Sequence, residues 1–555
     1  MAIGGTMAQR DSNNDLRTAK RLGANPFRVV TREQIGLGDR NDFYQFRLTR
    51  ASSLNVSLRR YSGNATVELL DDRGSRVQRV NFPGTGIDVL LSGSLAPGRY
   101  YLRVFNRRTT APYRLRVNAI EDLENGGVNP QPSETTLFRN INPGGLGSDP
   151  SDLIVVGNFL YFAADNGFNG RELFRTTGRG DNLTRIDINL RSIGASSDPR
   201  DLVNINGTLY FSATDGFNGR ELFRITGNAR TASLVTDLNP GEDDSNPDGL
   251  INFNNVLYFT ADSGNGQGRE LYRSNGTRNS TELVADINPG AASSNPTDFA
   301  VVNNVLYFAA DNGFNGRELF SNNGTIGNVN LVADLNFGRT DGLADSSIPT
   351  DLINVNNVLY FAATSQLDGR EVWRYDPLAD ANTPPAVISN LSNATTGSSP
   401  GTDLSALPGS DPAVLENFLA DRPNRSAFAA IDNGLYFAAT SEVLGRELYR
   451  TDGTFASTAL VNNINPNGSS DPTGLTNING VLYFGATAST LFGKELYRFN
   501  PSARRPRARL VRVSDINPGE GGSEPTEFVQ FRNNLIFVAT TPFFGQELRS
   551  LPLRA

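Results

Sequence analysis

Short apolar runs alternate with polar, glycine-rich turns along most of the chain, and one pair of motifs recurs eight times. A run of the type Leu-Tyr-Phe is followed about ten residues later by Gly-x-Glu and further apolar residues. The eight runs are centred on Tyr161, Tyr210, Tyr258, Tyr307, Tyr360, Tyr436, Tyr483 and Ile536. The eight glutamates are Glu172, Glu221, Glu270, Glu318, Glu371, Glu447, Glu495 and Glu547. Most successive glutamates lie about 49 residues apart, and strand-like repeats of this length predict a propeller rather than a helical solenoid.

Each repeat contains four strand-like runs, which is the content of one propeller blade. The last repeat has room only for a vestige of its fourth strand, whereas a spare fourth-strand sequence at 137–141 precedes the first repeat. We therefore expect an eight-bladed β-propeller over 136–555, closed by this N-terminal strand, because closure removes exposed sheet edges. An irregular step from Glu371 to Glu447 predicts an insertion at about 378–430 with one short helix at 412–420. This insertion fits a functional face and a tolerated surface loop equally well.

The first part of the chain carries none of the repeat. Alternating runs such as 43–48, 100–104 and 113–117 are separated by turn formers and predict a small β-sandwich over 1–120, with a polar N-terminal tail. The polar segment 121–135 is expected to be a linker. The fold class is therefore all-β: a small jelly-roll-like sandwich followed by the propeller.

Composition excludes several functions. The 555 residues include no Cys and no His, so disulfides, thiol catalysis, histidine-dependent triads and histidine-ligated metals are impossible. The net charge of −7 argues against a nucleic-acid partner. No apolar run is long enough to span a bilayer, and no N-terminal secretory signal is recognisable. Any chemistry must rest on carboxylates, Lys, Tyr, Ser, Thr or a hard cation, and we expect a non-enzymatic protein.

Two resemblances add to this picture. The segments 42–46, 69–74 and 95–104 resemble the bacterial pre-peptidase C-terminal domain, which implies a secreted protein, sometimes calcium-associated. The segment 447–454, Glu-Leu-Tyr-x-Thr-Asp-Gly-Thr, is similar to the bacterial ELWxxDGT repeat, although Trp373 is the only tryptophan in the chain. Both resemblances imply an extracellular or cell-surface location, which requires export without a recognisable N-terminal signal.

The turns between the second and third strands of the first four repeats are candidate calcium sites. They are rich in Asp, Asn and Gly, and oxygen ligands around a glycine are what Ca²⁺ requires. The predicted ligands are Asp165, Asn169, Asp215, Asn218, Asp262, Asp311 and Asn315. The alternative is a hairpin turn in which Asp and Asn bond their own backbone amides.

The other four turns lose this acidic pattern, and Leu444, Phe492 and Phe544 become candidate partner contacts. The apolar residue two positions before the turn glycine, as in Phe168, Phe217, Phe314 and Leu367, is expected to wedge between blades. The glutamate repeated in every blade is expected to accept hydrogen bonds from turn amides rather than to act in catalysis.

These features predict a secreted or cell-surface, non-enzymatic binding or structural protein that uses the propeller as an interaction scaffold. Its partner would be a protein or polysaccharide of the cell surface. One alternative is a carboxylate-dependent, carbohydrate-active hydrolase, against which no blade stands out by gaining a distinctive acid pair. The second alternative is a subunit of a larger surface assembly.

Overall fold

Strands account for nearly all regular structure in a computed structural model of the chain. It describes residues 15–553 apart from 25–26, 36–40, 50–51, 60–64, 83–93, 96, 106–110, 122–134, 143–146, 179–181, 190, 192–194, 341–342, 380–382, 390–426, 442–443, 467, 490–492, 505–508, 518–520 and 543. No helix in these ranges has the length and apolarity needed to cross a membrane. The helix predicted at 412–420 lies outside the described residues.

The first nine strands form two sheets. The five-stranded sheet has the order β1-β3-β8-β5-β6, in which β1 and β3 are parallel, and the four-stranded sheet has the order β2-β9-β4-β7. Their bounds are β1 (Lys20–Ala24), β2 (Phe27–Ile35), β3 (Asn41–Leu48), β4 (Ser52–Arg59), β5 (Ala65–Leu70), β6 (Arg76–Phe82), β7 (Ser94–Leu95), β8 (Gly98–Phe105) and β9 (Ala111–Glu121).

Alternation along β3 explains how these two sheets meet. Tyr44, Phe46 and Leu48 are buried while their neighbours are more exposed, because successive residues of a strand point to opposite faces. The Tyr44 hydroxyl lies 2.5 Å from that of Tyr113 in β9, and the Tyr113 hydroxyl donates to the carboxylate of Asp42. This buried chain of hydrogen bonds joins the two sheets.

After residue 135, the described residues form eight four-stranded antiparallel sheets. The strands of the first four are β11 (Ser151–Val156), β12 (Phe159–Asp165), β13 (Arg171–Thr176) and β14 (Thr184–Ile186); β15 (Arg200–Ile205), β16 (Thr208–Thr214), β17 (Arg220–Thr226) and β18 (Ser233–Thr236); β19 (Asp248–Phe253), β20 (Val256–Asp262), β21 (Arg269–Ser274) and β22 (Glu282–Ala285); β23 (Thr297–Val302), β24 (Val305–Asp311), β25 (Arg317–Asn322) and β26 (Val329–Ala333). A small hairpin of β27 (Arg339–Thr340) and β28 (Leu343–Ala344) follows.

The remaining four sheets repeat the arrangement. Their strands are β29 (Thr350–Val355), β30 (Val358–Ser365), β31 (Gly369–Tyr375) and β32 (Ala386–Val387); β33 (Phe428–Ile431), β34 (Gly434–Ser441), β35 (Gly445–Thr451) and β36 (Ala459–Asn462); β37 (Thr473–Ile478), β38 (Val481–Thr487), β39 (Lys494–Phe499) and β40 (Leu510–Ser514); β41 (Thr526–Phe531), β42 (Asn534–Thr541) and β43 (Gly545–Pro552), with β10 (Thr136–Arg139) as the fourth strand. Single 3₁₀ turns occur at Arg278–Ser280 and Phe455–Ser457.

The first strands of these sheets, which we call the inner strands, contact one another in chain order. The sequence of contacts returns from β41 to β11. At the same junction β10 pairs antiparallel with β43, so residues from the two ends of the repeat array share one sheet.

The recurring apolar run fills the spaces between sheets. In β16, Leu209 and Phe211 pack against Tyr161 and Leu173 of the preceding sheet, whereas Tyr210 points to the opposite face and packs towards the next sheet. Because both faces of this strand are buried, its sequence is a continuous apolar run rather than an alternating one.

Candidate functional site

The glutamate of each repeat anchors the loop that leads to the next sheet. Glu270 is representative: its carboxylate accepts hydrogen bonds from the backbone N–H groups of Ile287 (2.8 Å) and Ser294 (2.9 Å) and from the Ser294 hydroxyl (2.6 Å). Burial raises the pKa of Glu270 to about 7, partly offset by these hydrogen bonds. Burial likewise raises the pKa of Glu172, Glu221 and Glu318 to about 7. These glutamates have the structural role expected from the sequence.

A basic residue precedes seven of the eight glutamates, and it points to the other face of the strand. Arg171 donates to the carbonyl oxygen of Asp149 at 2.6 Å, and Arg220 donates to the Asp198 carboxylate at 2.8 Å. These side chains hold the start of the inner strands rather than neutralising the adjacent glutamate.

A second set of carboxylates occupies the second position of five inner strands, at positive φ. Asp152 and Asp298 each accept the backbone N–H of the equivalent residue in the following sheet, from Asp201 and Asp351, both at 2.9 Å. Glu527 likewise accepts the N–H of Leu153 across the junction of the last and first sheets, at 3.3 Å. These side chains therefore join successive inner strands at one end of the array.

The third sheet departs from this pattern. Its inner strand begins with Asp248-Gly249, so the acid stands one position earlier than in β11, β15, β23, β29 and β41. The shift brings the carboxyl group of Asp248 into hydrogen-bonding contact with that of Asp201. Gly249 takes the positive φ of 63° that the acidic residue adopts elsewhere, which glycine does without steric cost.

The two carboxyl groups of this pair are in different environments. Burial, followed by the charge and hydrogen bond of Asp248, raises the pKa of Asp201 well above its usual range. The Asp248 carboxylate lies 3.9 Å from the guanidinium of Arg269, and its side chain is 27% exposed. The raised pKa favours the protonated form of Asp201, because two carboxyl groups in contact cannot both ionise readily.

Sequence reasoning missed this pair, and the expectation that no blade gains a distinctive acid pair is corrected. Asp201 belongs to one repeat and Asp248 to the next, so comparison of motifs within single repeats does not place them together. The available signal was Asp248-Gly249 at a position where the neighbouring repeats have Arg200-Asp201 and Thr297-Asp298.

The predicted calcium ligands lie in hairpin turns that bond their own backbone. Asp165 accepts the N–H of Gly167 at 2.7 Å, and Asp311 accepts that of Gly313 at 2.7 Å. Comparable contacts involve the other candidates: Asp215 accepts from the amides of Phe217 and Asn218, Asp262 from Gly264, Asn169 from Asn166, and Asn315 from Asn312. Within the described ranges, no three acidic side chains converge closely enough to hold a metal ion, and calcium binding stays a prediction.

The apolar residues at these turns do not wedge between sheets, which corrects the sequence-based expectation. Phe168 is 76% exposed, Phe314 70% and Leu367 74%, and Phe217 is also exposed. The Asx turn explains the difference, because it lifts the tip of the hairpin away from the neighbouring sheet. Of the predicted partner contacts, Leu444 and Phe544 are half-buried, and Phe492 lies outside the described residues.

The repeated four-stranded sheets define an all-β, propeller-like protein, and comparison with known proteins gives fold-level likenesses. No protein-family model matches the chain, and no curated protein matches it either. A prolyl endopeptidase structure is 10% identical, with a TM-score of 0.44 over 73% of this chain and 55% of the other. A puromycin-hydrolysing peptidase of Mycobacterium tuberculosis is also 10% identical, with a TM-score of 0.39 over 73% of this chain and 60% of the other. The chain thus spans little more than half the length of these peptidases.

The pre-peptidase C-terminal domain of a Bacillus anthracis collagenase is 25% identical over 18% of this chain and 94% of that domain, with a TM-score of 0.16. The chain is thus similar in part to the domain that its first strands resemble in sequence.

The comparisons correct the predicted function. The prediction of a non-enzymatic binding or structural protein is not supported, because the solved structures that share a fold-level likeness with the repeated sheets are peptidases. The prediction relied on the missing Cys and His, but these residues are needed only for some chemistries. Paired carboxylates need neither, and the fold brings such a pair together at Asp201 and Asp248.

Proposed function

We propose that the protein is a hydrolase that activates water with the paired carboxyl groups of Asp201 and Asp248. The observation that carries this proposal is that the two carboxyl groups meet at the backbone N–H of Gly249, which donates to Asp248 at 2.8 Å and to Asp201 at 3.3 Å. In the proposed mechanism Asp201 is the general acid, because its pKa is raised, and Asp248 is the general base. The guanidinium of Arg269 lies 3.9 Å from the Asp248 carboxylate.

The pair supports acyl hydrolysis in two balanced steps. Asp248 accepts a proton from water as the water oxygen bonds to the carbonyl carbon, and Asp201 donates its proton to the carbonyl oxygen, which gives a tetrahedral diol. Asp248 then donates the proton to the leaving nitrogen or oxygen while Asp201 recovers one from a hydroxyl of the diol. The bond to the leaving group breaks, and a carboxylic acid is released.

The spacing of the pair favours amides or esters over glycosides. Glycoside hydrolases hold their two carboxyl groups about 5 Å apart or farther, because a sugar carbon or a water molecule must fit between them. Carboxyl groups in direct contact, sharing one proton, match the arrangement that activates water for attack on a carbonyl. The proposed substrate class therefore differs from the carbohydrate considered from the sequence.

The proposal is tested by measuring hydrolysis of fluorogenic amides and esters and chromogenic glycosides across a pH series. Asp201→Asn and Asp248→Asn are each expected to lower kcat/KM at least about 100-fold, because general acid–base catalysis contributes about 10²–10⁴. Activity should also fall as pH rises through the raised pKa of Asp201. Asp298→Asn, at the equivalent inner-strand position but outside the pair, is the matched control and should retain activity.

The proposal fails if the wild-type protein hydrolyses none of these substrates, or if Asp201→Asn is as active as the Asp298→Asn control. Hydrolysis of glycosides alone would also contradict it.

We further infer that the eight sheets are the blades of one closed propeller over 136–555. The circular order of inner-strand contacts and the pairing of β10 with β43 support this. The following remain sequence-based predictions: the assignment to the ELWxxDGT repeat proteins, the sandwich over 1–120 with its linker at 121–135, the extracellular location and the surface partner. Cryo-electron microscopy at a resolution that separates the blades tests their number. Fractionation of the source culture into cells, envelope and medium tests the location.

A further inference from the structure

A cavity of about 370 Å³ lies among the inner strands. Five of these strands, β11, β29, β33, β37 and β41, contribute residues to its wall. Strands from both ends of the repeat array therefore meet around the cavity. Its volume lies within the range of small-molecule sites, about 300–1,000 Å³.

The wall of the cavity is mainly apolar, with few polar groups. Leu153, Phe428, Leu475 and Phe528 are among its apolar lining residues, and Thr476 and Asn477 are polar. Glu527 is the acidic residue in the lining and is itself only 8% exposed. An apolar wall with one carboxylate selects a ligand that has an apolar body and a positively charged group.

Glu527 also links the cavity to the Asp201–Asp248 pair. It is the second residue of β41, and Asp201 is the second residue of β15. Both have positive φ, at 58° and 54°. Equivalent positions of successive sheets lie at the same end of the inner strands, so the carboxylate of the cavity and the proposed catalytic pair lie at that end.

We propose that this cavity binds an apolar group carrying a primary ammonium and so selects amine-bearing substrates for hydrolysis. The apolar body fills the space between the inner strands, and the ammonium forms an ion pair with Glu527. Glu527 is itself buried, and a charge–charge contact with a buried group is stronger than one at the surface. The role in substrate selection rests on the proposed hydrolase, whereas amine binding can be measured without it.

Isothermal titration calorimetry of the full chain with 4-phenylbutylamine and with 4-phenylbutanol tests the proposal. The two probes share an apolar body and differ in charge. The amine is expected to bind at least about tenfold more tightly, equivalent to about 1.4 kcal/mol. Glu527→Gln should remove that difference. Leu475→Trp should weaken both probes by filling the cavity, and a thermal melt confirms that each variant is folded.

Asp201→Asn separates this proposal from the hydrolase. It should abolish hydrolysis and leave amine binding unchanged, because Asp201 does not line the cavity. Equal binding of amine and alcohol, binding of neither, or unaltered preference in Glu527→Gln overturns the cavity assignment. Amine binding in a protein that hydrolyses no amide or ester overturns the hydrolase and leaves the amine site standing.

Discussion

Two sets of buried carboxyl groups in the same sheets have opposite surroundings. Glu270 and its equivalents are encircled by donors: two backbone N–H groups and a serine hydroxyl bind Glu270 within 3 Å. Asp201 instead faces a second carboxyl group, that of Asp248. The first arrangement recurs from sheet to sheet, whereas the second arises at one junction, where the repeat is broken.

This difference separates a structural role from the proposed catalytic one. A carboxylate that satisfies amide donors lowers the free energy of the folded state, and its loss leaves those donors unpaired. A carboxyl group beside another carboxyl group raises the energy of the pair and gives a proton that is easily moved. The departure from the repeat, rather than the repeat itself, is therefore the better guide to chemistry in this chain.

The largest effect that tests this contrast is expected for Glu270→Ala. The substitution leaves two buried backbone N–H groups and the Ser294 hydroxyl without their acceptor, and we expect a loss of about 4 kcal/mol in unfolding free energy. Asp201→Asn keeps an acceptor for the Gly249 N–H and replaces a neutral carboxyl group with a neutral amide, so it should leave that free energy little changed. Urea titration measures both. A larger loss in Asp201→Asn than in Glu270→Ala would reverse the assignment of roles.

A second prediction concerns Glu547, whose hydrogen-bond donors come from the other end of the repeat array. The Ile141 N–H donates to Glu547 at 3.3 Å, as the Ile188 N–H bonds Glu172 within the first repeat. Both isoleucine side chains are buried. We expect Ile141→Ala and Ile188→Ala each to cost about 2–4 kcal/mol in unfolding free energy, as core truncations do.

The matched pair is informative because only Ile141 depends on the junction between β10 and β43. The junction is not formed in solution if Ile141→Ala costs less than about 0.5 kcal/mol, as a surface substitution does, while Ile188→Ala shows the expected loss.

Much of this architecture could be predicted from the sequence because it repeats. The Leu-Tyr-Phe runs were predicted to be strands, and the structure confirms this, with Leu209 and Phe211 on one face of β16 and Tyr210 on the other. The strand predicted at 137–141 from its likeness to later fourth strands corresponds to β10. Each of these inferences compares equivalent positions, which a single sequence with internal repeats makes possible.

The pH dependence of stability gives a third test, with a smaller effect. The folded-state pKa of Glu270 is about 7, against an ordinary value of 4.5, so the folded state binds more protons between these values. The stabilisation is fully present below about pH 4.5 and is lost as pH rises through about 7. One such group changes the unfolding free energy by at most about 1.4 kcal/mol per pH unit.

Glu270→Gln removes this titration, so the difference in unfolding free energy between wild type and variant should shrink as pH rises from about 4.5 to 7. Parallel urea titrations at several pH values measure it. A difference that grows with pH would mean that burial does not dominate the pKa of Glu270.

The site was less predictable, for two physical reasons. The contact between Asp201 and Asp248 depends on packing between two sheets and on Gly249 taking over a positive φ, and neither is visible in one repeat. The exposure of Phe314 was also missed, because an aromatic residue at a fixed position in several repeats was interpreted as a core residue. The side chains of Asn312 and Asp311 hold the turn that presents it to solvent.

The smallest expected effect is that of Phe314→Ser. Phe314 is 70% exposed, so its replacement should change the unfolding free energy by no more than about 0.5 kcal/mol, the usual range for surface sites. Phe308, in β24 of the same repeat, is fully buried, and Phe308→Ala should cost about 3–5 kcal/mol. Urea titration of the two variants compares an aromatic residue of the repeat that faces solvent with one that forms the core. A loss above about 1.5 kcal/mol in Phe314→Ser would place Phe314 between sheets after all, as the sequence had suggested, since a wedged ring contributes that much or more.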